Sequence, residues 1–162
     1  MGSAGTASHA PRSFAIIPAA GRSQRMGQPK LLLPWGSSTV IETVLASWRQ
    51  GGVQHRLVVV HPADAALAEL VRRTGAEAVI APTPPADMRA SVQLGLNHAQ
   101  ACWQAGAGDV WLLAPADIPQ LSAAAIHKLR QSHLRFPDRP LVPTHEGSHG
   151  HPVLFPWRFA SL

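Results

Sequence analysis

Short apolar runs alternate along the chain with longer segments in which apolar residues recur every three or four positions. The short runs predict buried strands, and the longer segments predict helices with one apolar face. The predicted strands are 14–17, 56–60, 77–81 and 110–113, followed by two shorter ones at 141–143 and 152–155. The predicted helices are 40–50, 63–74, 89–104 and 123–134. Such alternation is typical of a mostly parallel sheet with helices on both faces.

Capping and turn residues support these boundaries. Thr39 and Glu42 have the spacing of a capping box, and Ser122 can cap the last helix. The segment 82–87, PTPPAD, contains three prolines, which lack the backbone N–H that regular structure requires. The predicted fold class is therefore α/β, a three-layer α/β/α Rossmann-like fold. Ligands of such folds bind past the carboxyl ends of the strands, where the loops after residues 17, 81 and 113 meet.

The composition fits one globular domain. The chain has 162 residues, of which 46% are hydrophobic and 14% are charged. We expect residues 1–13 to be a flexible leader and residues 14–162 to form a single domain. The one cysteine, Cys102, excludes an internal disulfide and fits a reducing compartment. Because no secretory signal or membrane-spanning apolar run is present, we expect a cytoplasmic location and no membrane partner.

The formal net charge of +5 indicates either anionic partners or a mildly basic surface, and composition does not separate the two. No run of five basic residues occurs, and Tyr is absent. The Phe and Trp residues are scattered rather than grouped into a stacking surface. Nucleic acid is therefore not an expected partner.

The loop after the first strand, residues 18–30 (PAAGRSQRMGQPK), combines small residues with cations. The small residues at 19–21 let backbone N–H groups approach a ligand closely, and successive amides form a concave anion site. Arg22, Arg25 and Lys30 add charged groups that suit phosphate oxygens. The spacing matches neither a Walker A loop nor G-x-G-x-x-G. A strand, a glycine-containing loop and fixed cations together predict a triphosphate site.

Asp117 follows the apolar run 110–113, so its carboxylate is expected at the carboxyl edge of the sheet, opposite the cationic loop. Magnesium prefers one or two carboxylates together with phosphate oxygens and water. A metal-binding Asp117 is therefore favoured over a turn-forming one, although Asp is also common in turns.

Other polar residues carry weaker signals. His145, His149 and His151 have spacings of four and two that suggest zinc, but no acid or cysteine completes an obvious site. A loop formed by 150–152 over the substrate is the preferred interpretation. Ser91, near a predicted helix start, fits either a phosphate or base contact or an ordinary first-turn serine. By default, the acids Asp64 and Asp87 are solvated helix-start or loop residues, and His61 is a surface or core residue.

The loop resembles that of the molybdenum cofactor nucleotidyltransferases, within the wider superfamily of sugar-nucleotide transferases. The family pattern is approximately A-A-G-x-S-x-R-M-G-x-x-K-x-L-L-P, and the chain matches it from Ala19 to Pro34. Further matches are Met88 with Ser91, the turn 117–119 and the segment 150–152. The resemblance spans residues 14–155 and implies a fold of the nucleotide-diphospho-sugar transferase type.

The Ala-Ala-Gly form of the loop is similar to the cytidylyl branch of that family, whereas the guanylyl branch tends to have Leu-Ala-Gly-Gly. The resemblance implies that backbone groups of Ala19 and Ala20 read the base. It also implies three catalytic residues, of which Arg25 and Lys30 hold the triphosphate and Asp117 binds the cofactor Mg²⁺. The implied nucleotide-binding residues are Pro18, Ala19, Ala20, Gly21, Arg22, Ser23, Lys30, Pro82 and Ser91, and the implied substrate-binding residues are Gly150, His151 and Pro152.

The implied activity is Mg²⁺-dependent transfer of a nucleoside monophosphate from an NTP, with CTP favoured, to the phosphate of molybdopterin cofactor, a pterin-phosphate acceptor. Pyrophosphate is released, and an acceptor molybdoenzyme or a chaperone is a candidate protein partner. The alternatives are a guanylyltransferase, a sugar-1-phosphate nucleotidyltransferase and an inactive nucleotide-binding module.

Two features depart from the family pattern. Asp87 stands where members usually have Gly before the Met. Members are also commonly longer, so we expect the domain to be truncated at its C-terminus, after Leu162. The second departure is what keeps the inactive module among the alternatives.

Overall fold

The computed structural model describes residues 11–21 and 29–161. The strands in chain order are β1 Ser13–Ala19, β2 Pro34–Trp35, β3 Ser38–Thr39, β4 His55–Val60, β5 Glu77–Ile80, β6 Val110–Leu113, β7 Thr144–His145, β8 Ser148–His149 and β9 Val153–Pro156. The helices are α1 Val40–Gln50, α2 Ala65–Arg73, α3 Met88–Trp103 and α4 Ala123–Arg135, with 3-10 turns at Lys30–Leu32 and Trp157–Phe159.

The central sheet has five strands in the order β5-β4-β1-β6-β9. Strand β1 runs parallel to β4 and β6, β4 runs parallel to β5, and β9 alone is antiparallel, against β6. The predicted mostly parallel sheet is confirmed. Because strands β5, β4, β1 and β6 run in the same direction, the loops that follow them lie at one edge of the sheet.

Helices cover both faces of this sheet, which confirms the three-layer architecture. Successive strand residues point to opposite faces. Ala15 and Ile17 of β1 therefore pack with α1, α2 and α4, whereas Phe14 and Ile16 pack with α3. Gly95 lets α3 lie close to the sheet, because a Cβ there would be 2.9 Å from the Ile16 side chain.

Local capping begins each helix where the sequence predicts a start. At α1, the Thr39 hydroxyl accepts from the Glu42 amide, and the Glu42 carboxylate accepts from the Thr39 amide at 2.9 Å. Hydrogen bonds from the Thr39 hydroxyl and amide lower the pKa of Glu42 despite partial desolvation. Ser122 caps α4 as predicted. Asp64 and Asp87 cap α2 and α3 through their carboxylates.

The strand predicted at 141–143 is wrong. Leu141 makes a single bridge to Leu154, because the flanking residues Pro140 and Pro143 have no N–H with which to extend the pairing. The chain instead forms the hairpin β7–β8, whose turn places Gly147 at a φ of +80°. The sequence analysis also did not predict the small β2–β3 hairpin.

The described part of the fold begins before residue 14. Ser13 is fully buried in β1, and its amide donates to Gln54 at 2.9 Å. Arg12 is held by Asp109 at 2.7 Å. Residues 12 and 13 therefore belong to the fold rather than to a leader, and residues 1–10 lie outside the described part of the chain. None of the helices described over 11–21 and 29–161 is both long and apolar enough to cross a membrane.

Candidate functional site

A cleft of about 780 Å³ runs along the carboxyl edge of the sheet. Its walls are the loops that follow β1, β4, β5 and β6, which the strand order brings side by side. The lining residues are 18–21, 29–31, 85–88 and 115–117, with His61, Ala63, Asp64 and Ser91. The position is the one at which open α/β sheets bind ligands.

One end of the cleft, called here the phosphate end, contains an ion pair between Lys30 and Asp117. The Lys30 Nζ lies 2.9 Å from the Asp117 Oδ2, and each side chain is 43% exposed. Lys30 begins the 3-10 turn whose next two residues, Leu31 and Leu32, pack on the core. Asp117 follows the buried Ala116 in the turn after β6. The two charged residues that the sequence analysis selected therefore meet at one point of the sheet edge.

Residues 18–21 form the wall beside this pair, as predicted for a ligand-binding loop. Ala20 is buried, whereas Gly21 is exposed, and a Cβ on Gly21 would meet no described atom within 4 Å. The glycine thus leaves open space next to the backbone, which suits close approach of an anion. The predicted contacts of Arg22, Ser23 and Arg25 lie outside the described residues and stay predictions.

The cleft also contains residues that the sequence analysis did not assign to the site: His61, Asp64 and Asp87. Asp64 Oδ1 accepts from the Leu67 amide at 3.1 Å, so the helix-start interpretation is correct. The His61 Nδ1 accepts from the Ala63 amide at 3.1 Å, which leaves the proton of a neutral ring on Nε2. All three stand in the segments that connect β4 and β5 to the helices that follow them, and this was the signal that they share the edge with Lys30.

Ser91 is buried near the start of α3, and its hydroxyl donates to the Asp87 carbonyl at 3.3 Å. It therefore serves as an ordinary first-turn serine, and it also lines the cleft. The predicted contact of Ser91 with a phosphate or a base stays a prediction.

Of the predicted residues that the structure describes, four are not among those that line the cleft. Pro82 is exposed in the loop after β5. Gly150, His151 and Pro152 precede β9, which pairs with β6 on the side away from β1. The Gly150 amide donates to the Pro143 carbonyl at 2.8 Å, so the segment packs against the β7–β8 region. Their roles toward a substrate stay predictions.

The side chains of the described residues can be compared with the ligands that Zn²⁺ and Mg²⁺ require. No group of three or more His, Cys, Asp or Glu side chains comes together over 11–21 and 29–161, which gives the zinc interpretation of the three histidines no support. Asp117 offers a single exposed carboxylate at the phosphate end. One carboxylate fits Mg²⁺, which takes its other ligands from phosphate oxygens and water.

The fold and the cleft define an α/β protein with an open cleft past the carboxyl ends of parallel strands. Within that class, the chain belongs to the family of MobA-like NTP transferase domains, whose model matches residues 15–162. This match confirms the family predicted from the loop after β1.

Two curated relatives are similar over much of the chain. A molybdenum cofactor guanylyltransferase of Xanthomonas euvesicatoria pv. vesicatoria (strain 85-10) is 36% identical over 115 residues, 70% of this chain and 51% of the relative. A molybdenum cofactor cytidylyltransferase of Escherichia coli (strain K12) is 27% identical over 139 residues, 86% of this chain and 67% of the relative. The chain thus spans about half the length of the first relative and two thirds of the second.

The fold is also found among solved structures. The crystal structure of Rv0371c from Mycobacterium tuberculosis H37Rv matches with a TM-score of 0.76 and 23% sequence identity. The match covers 93% of this chain and 74% of that one. At this identity the likeness establishes the fold alone.

Proposed function

We propose that this domain transfers a nucleoside monophosphate from an NTP to the phosphate of molybdopterin cofactor, a pterin-phosphate acceptor, with release of pyrophosphate. The observation that carries the proposal is the Lys30–Asp117 pair at 2.9 Å, beside the loop 18–21, in a cleft large enough for a nucleotide. The Lys30 ammonium, the Asp117 carboxylate and the accessible backbone of residues 18–21 lie side by side, which suits a metal-bound polyphosphate. Membership of the MobA-like family supports the same reaction class.

The reaction places few chemical demands on the protein. A terminal phosphate of the acceptor is already ionised near neutral pH and attacks the α-phosphorus in line, so no general base is required. Catalysis then consists of positioning and charge stabilisation. Lys30 offsets the negative charge that develops on the phosphate oxygens, and residues 18–21 hold the nucleotide by their backbone. Magnesium held by Asp117 would supply further charge compensation on those oxygens.

Two nucleotides, CTP and GTP, are candidates for the NTP substrate. The Ala-Ala-Gly form of residues 19–21 favours CTP. The alternative is GTP, because the relative with 36% identity is a guanylyltransferase. A sugar-1-phosphate acceptor is the other alternative, since the site geometry suits any phosphate nucleophile. The proposed location is the cytoplasm, and the proposed protein partner is an acceptor molybdoenzyme or a chaperone.

The experiment combines binding with turnover. Thermal shifts are measured with CTP, GTP, ATP and UTP in the presence of MgCl₂, and pyrophosphate release is then measured with molybdopterin. A ligand at a hundred times its Kd stabilises the fold by about 2.7 kcal/mol, which such shifts detect readily. Pyrophosphate release that requires both molybdopterin and an NTP is the expected result. Binding without release would instead identify a nucleotide-binding module, and no binding by any of the four would overturn the proposal.

A further inference from the structure

The part of the cleft that precedes α3 combines an apolar surface with one hydrogen-bond acceptor, the Asp87 carboxylate. Pro85, Ala86 and Met88 line the cleft around Asp87, and Met88 is 57% exposed. An apolar surface with few polar groups is the usual environment of an aromatic ligand. Lys30 lines the same cleft, so a nucleotide whose phosphates lie at Lys30 can place its base against this segment.

The Asp87 carboxylate is held in a fixed orientation. Its Oδ1 accepts from the Ala90 amide at 2.7 Å as the cap of α3. Within the described part of the chain no donor contacts the other oxygen, Oδ2. The cap restrains the side chain, so Oδ2 is available to a ligand with little further loss of conformational entropy.

We propose that Asp87 is a specificity-determining residue that accepts a hydrogen bond from the exocyclic amino group of the nucleotide base. This inference rests on the proposed function, because it needs a nucleotide in the cleft. An ionised carboxylate only accepts hydrogen bonds, and acidic side chains accept from the N4 amino group of cytosine. Guanine offers its N2 amino group. Uracil presents a carbonyl oxygen in place of the N4 amino group, which the carboxylate repels, and hypoxanthine lacks the N2 amino group of guanine.

The experiment compares two sets of nucleotides whose bases differ in an exocyclic amino group: CTP with UTP, and GTP with ITP. Kd values are measured by calorimetry with MgCl₂ for the wild-type protein, Asp87→Asn and Asp138→Asn. Asn also caps helices well, so Asp87→Asn keeps the start of α3 while its amide can donate to a carbonyl. Asp138 is the matched control, since the same substitution removes an exposed carboxylate that does not line the cleft.

The wild-type protein is expected to bind the amino-bearing member of at least one pair about tenfold or more tightly than its counterpart. Asp87→Asn should reduce that preference about tenfold, and Asp138→Asn should retain it. If nucleotides bind but Asp87→Asn keeps the wild-type preference, or weakens the binding of all four nucleotides equally, the inference is overturned. The proposed function then stands. If no nucleotide binds to the wild-type protein, both fail.

Discussion

Two ion pairs connect the segments that flank β1 and β6, one at each end of these neighbouring strands. At the amino end, Arg12 and Asp109 lie 2.7 Å apart, and the Asp109 side chain is 9% exposed. At the carboxyl end, Lys30 and Asp117 lie 2.9 Å apart, and both side chains are 43% exposed. The pairs have the same charges and similar lengths, and they differ in burial and in the number of partners.

Asp109 is surrounded by donors. It accepts from the Arg12 backbone amide, from two guanidinium nitrogens of Arg12 and from the Gly106 amide at 2.9 Å. Burial alone would raise the pKa of Asp109, but the hydrogen bonds from Arg12 and Gly106 and the charge of Arg12 outweigh it and lower the pKa. Removing Arg12 would leave a buried charge without compensation. This pair therefore belongs to the fold.

Asp117 has a different environment. Among the described residues its hydrogen-bond partner is Lys30, and solvent reaches both groups. An exposed ion pair stabilises a protein by at most about 1 kcal/mol, so a phosphate can replace Asp117 as the partner of Lys30 at small cost. The comparison indicates that an exposed ion pair with few hydrogen-bond partners can exchange its contact for one with a ligand.

The largest expected effect is on turnover at the carboxyl end. Lys30→Ala should lower the rate of pyrophosphate release about a hundredfold or more, because one preorganised charge in an active site is commonly worth that much. The free energy of unfolding should change by less than about 1 kcal/mol. Steady-state kinetics and urea denaturation measure the two quantities.

The control for this variant is Lys128→Ala, which removes the other lysine of the chain, an exposed residue on α4. It should leave turnover unchanged. Near-wild-type turnover in Lys30→Ala, or an equal loss in both variants, would contradict the assignment of Lys30 to the phosphate site.

The next effect is on stability at the amino end. Asp109→Ala should lower the free energy of unfolding by about 2 kcal/mol, because several hydrogen bonds to a charged, buried group are lost. Urea denaturation measures the change. Asp138→Ala is the matched control, since Asp138 pairs with Arg158 but its side chain is 82% exposed. Equal destabilisation by the two substitutions would show that burial does not distinguish these ion pairs.

Much of the fold was predictable because it depends on local patterns. The buried strands β1, β4, β5 and β6 are short apolar runs, and the cap residues Thr39 and Ser122 act through neighbouring amides. The alternation of strands and helices predicted parallel strands, and parallel strands place the loops that follow them at one edge. The phosphate end was predictable for the same reason, since small residues, cations and a carboxylate follow two adjacent strands.

The rest depends on contacts between distant parts of the chain. Asp109 has no local signal, because its partner Arg12 is 97 residues away. Asp64 and Asp87 look like ordinary helix caps, and only the packing of α2 and α3 against the sheet makes them part of the cleft. The segment 150–152 leads into β9, whose antiparallel register pairs Val153 with Leu113 at the carboxyl end of β6, and its contact with a substrate stays a prediction.

The smallest expected effect is the pH dependence of stability at the amino end. His55 stacks on Phe14 with the ring centroids 4.7 Å apart, and it also contacts Trp103. Burial lowers the pKa of His55, the charges of Arg12 and Arg56 lower it further, and Asp109 opposes them. Because the unfolded chain binds a proton at His55 more readily, below a pH of about 6.5, stability is full above that pH and falls as the pH drops toward the folded pKa.

The free energy of unfolding should therefore decrease from pH 7.5 to 5.5, as measured by urea denaturation. His55→Phe keeps an aromatic ring beside Phe14 but cannot titrate, so it should reduce this decrease. It should not abolish it, because burial also lowers the pKa of His133 on α4, and His133→Phe should remove a further part. A pH dependence that is the same in His55→Phe and the wild-type protein would mean that burial and the charges of Arg12 and Arg56 do not lower the pKa of His55.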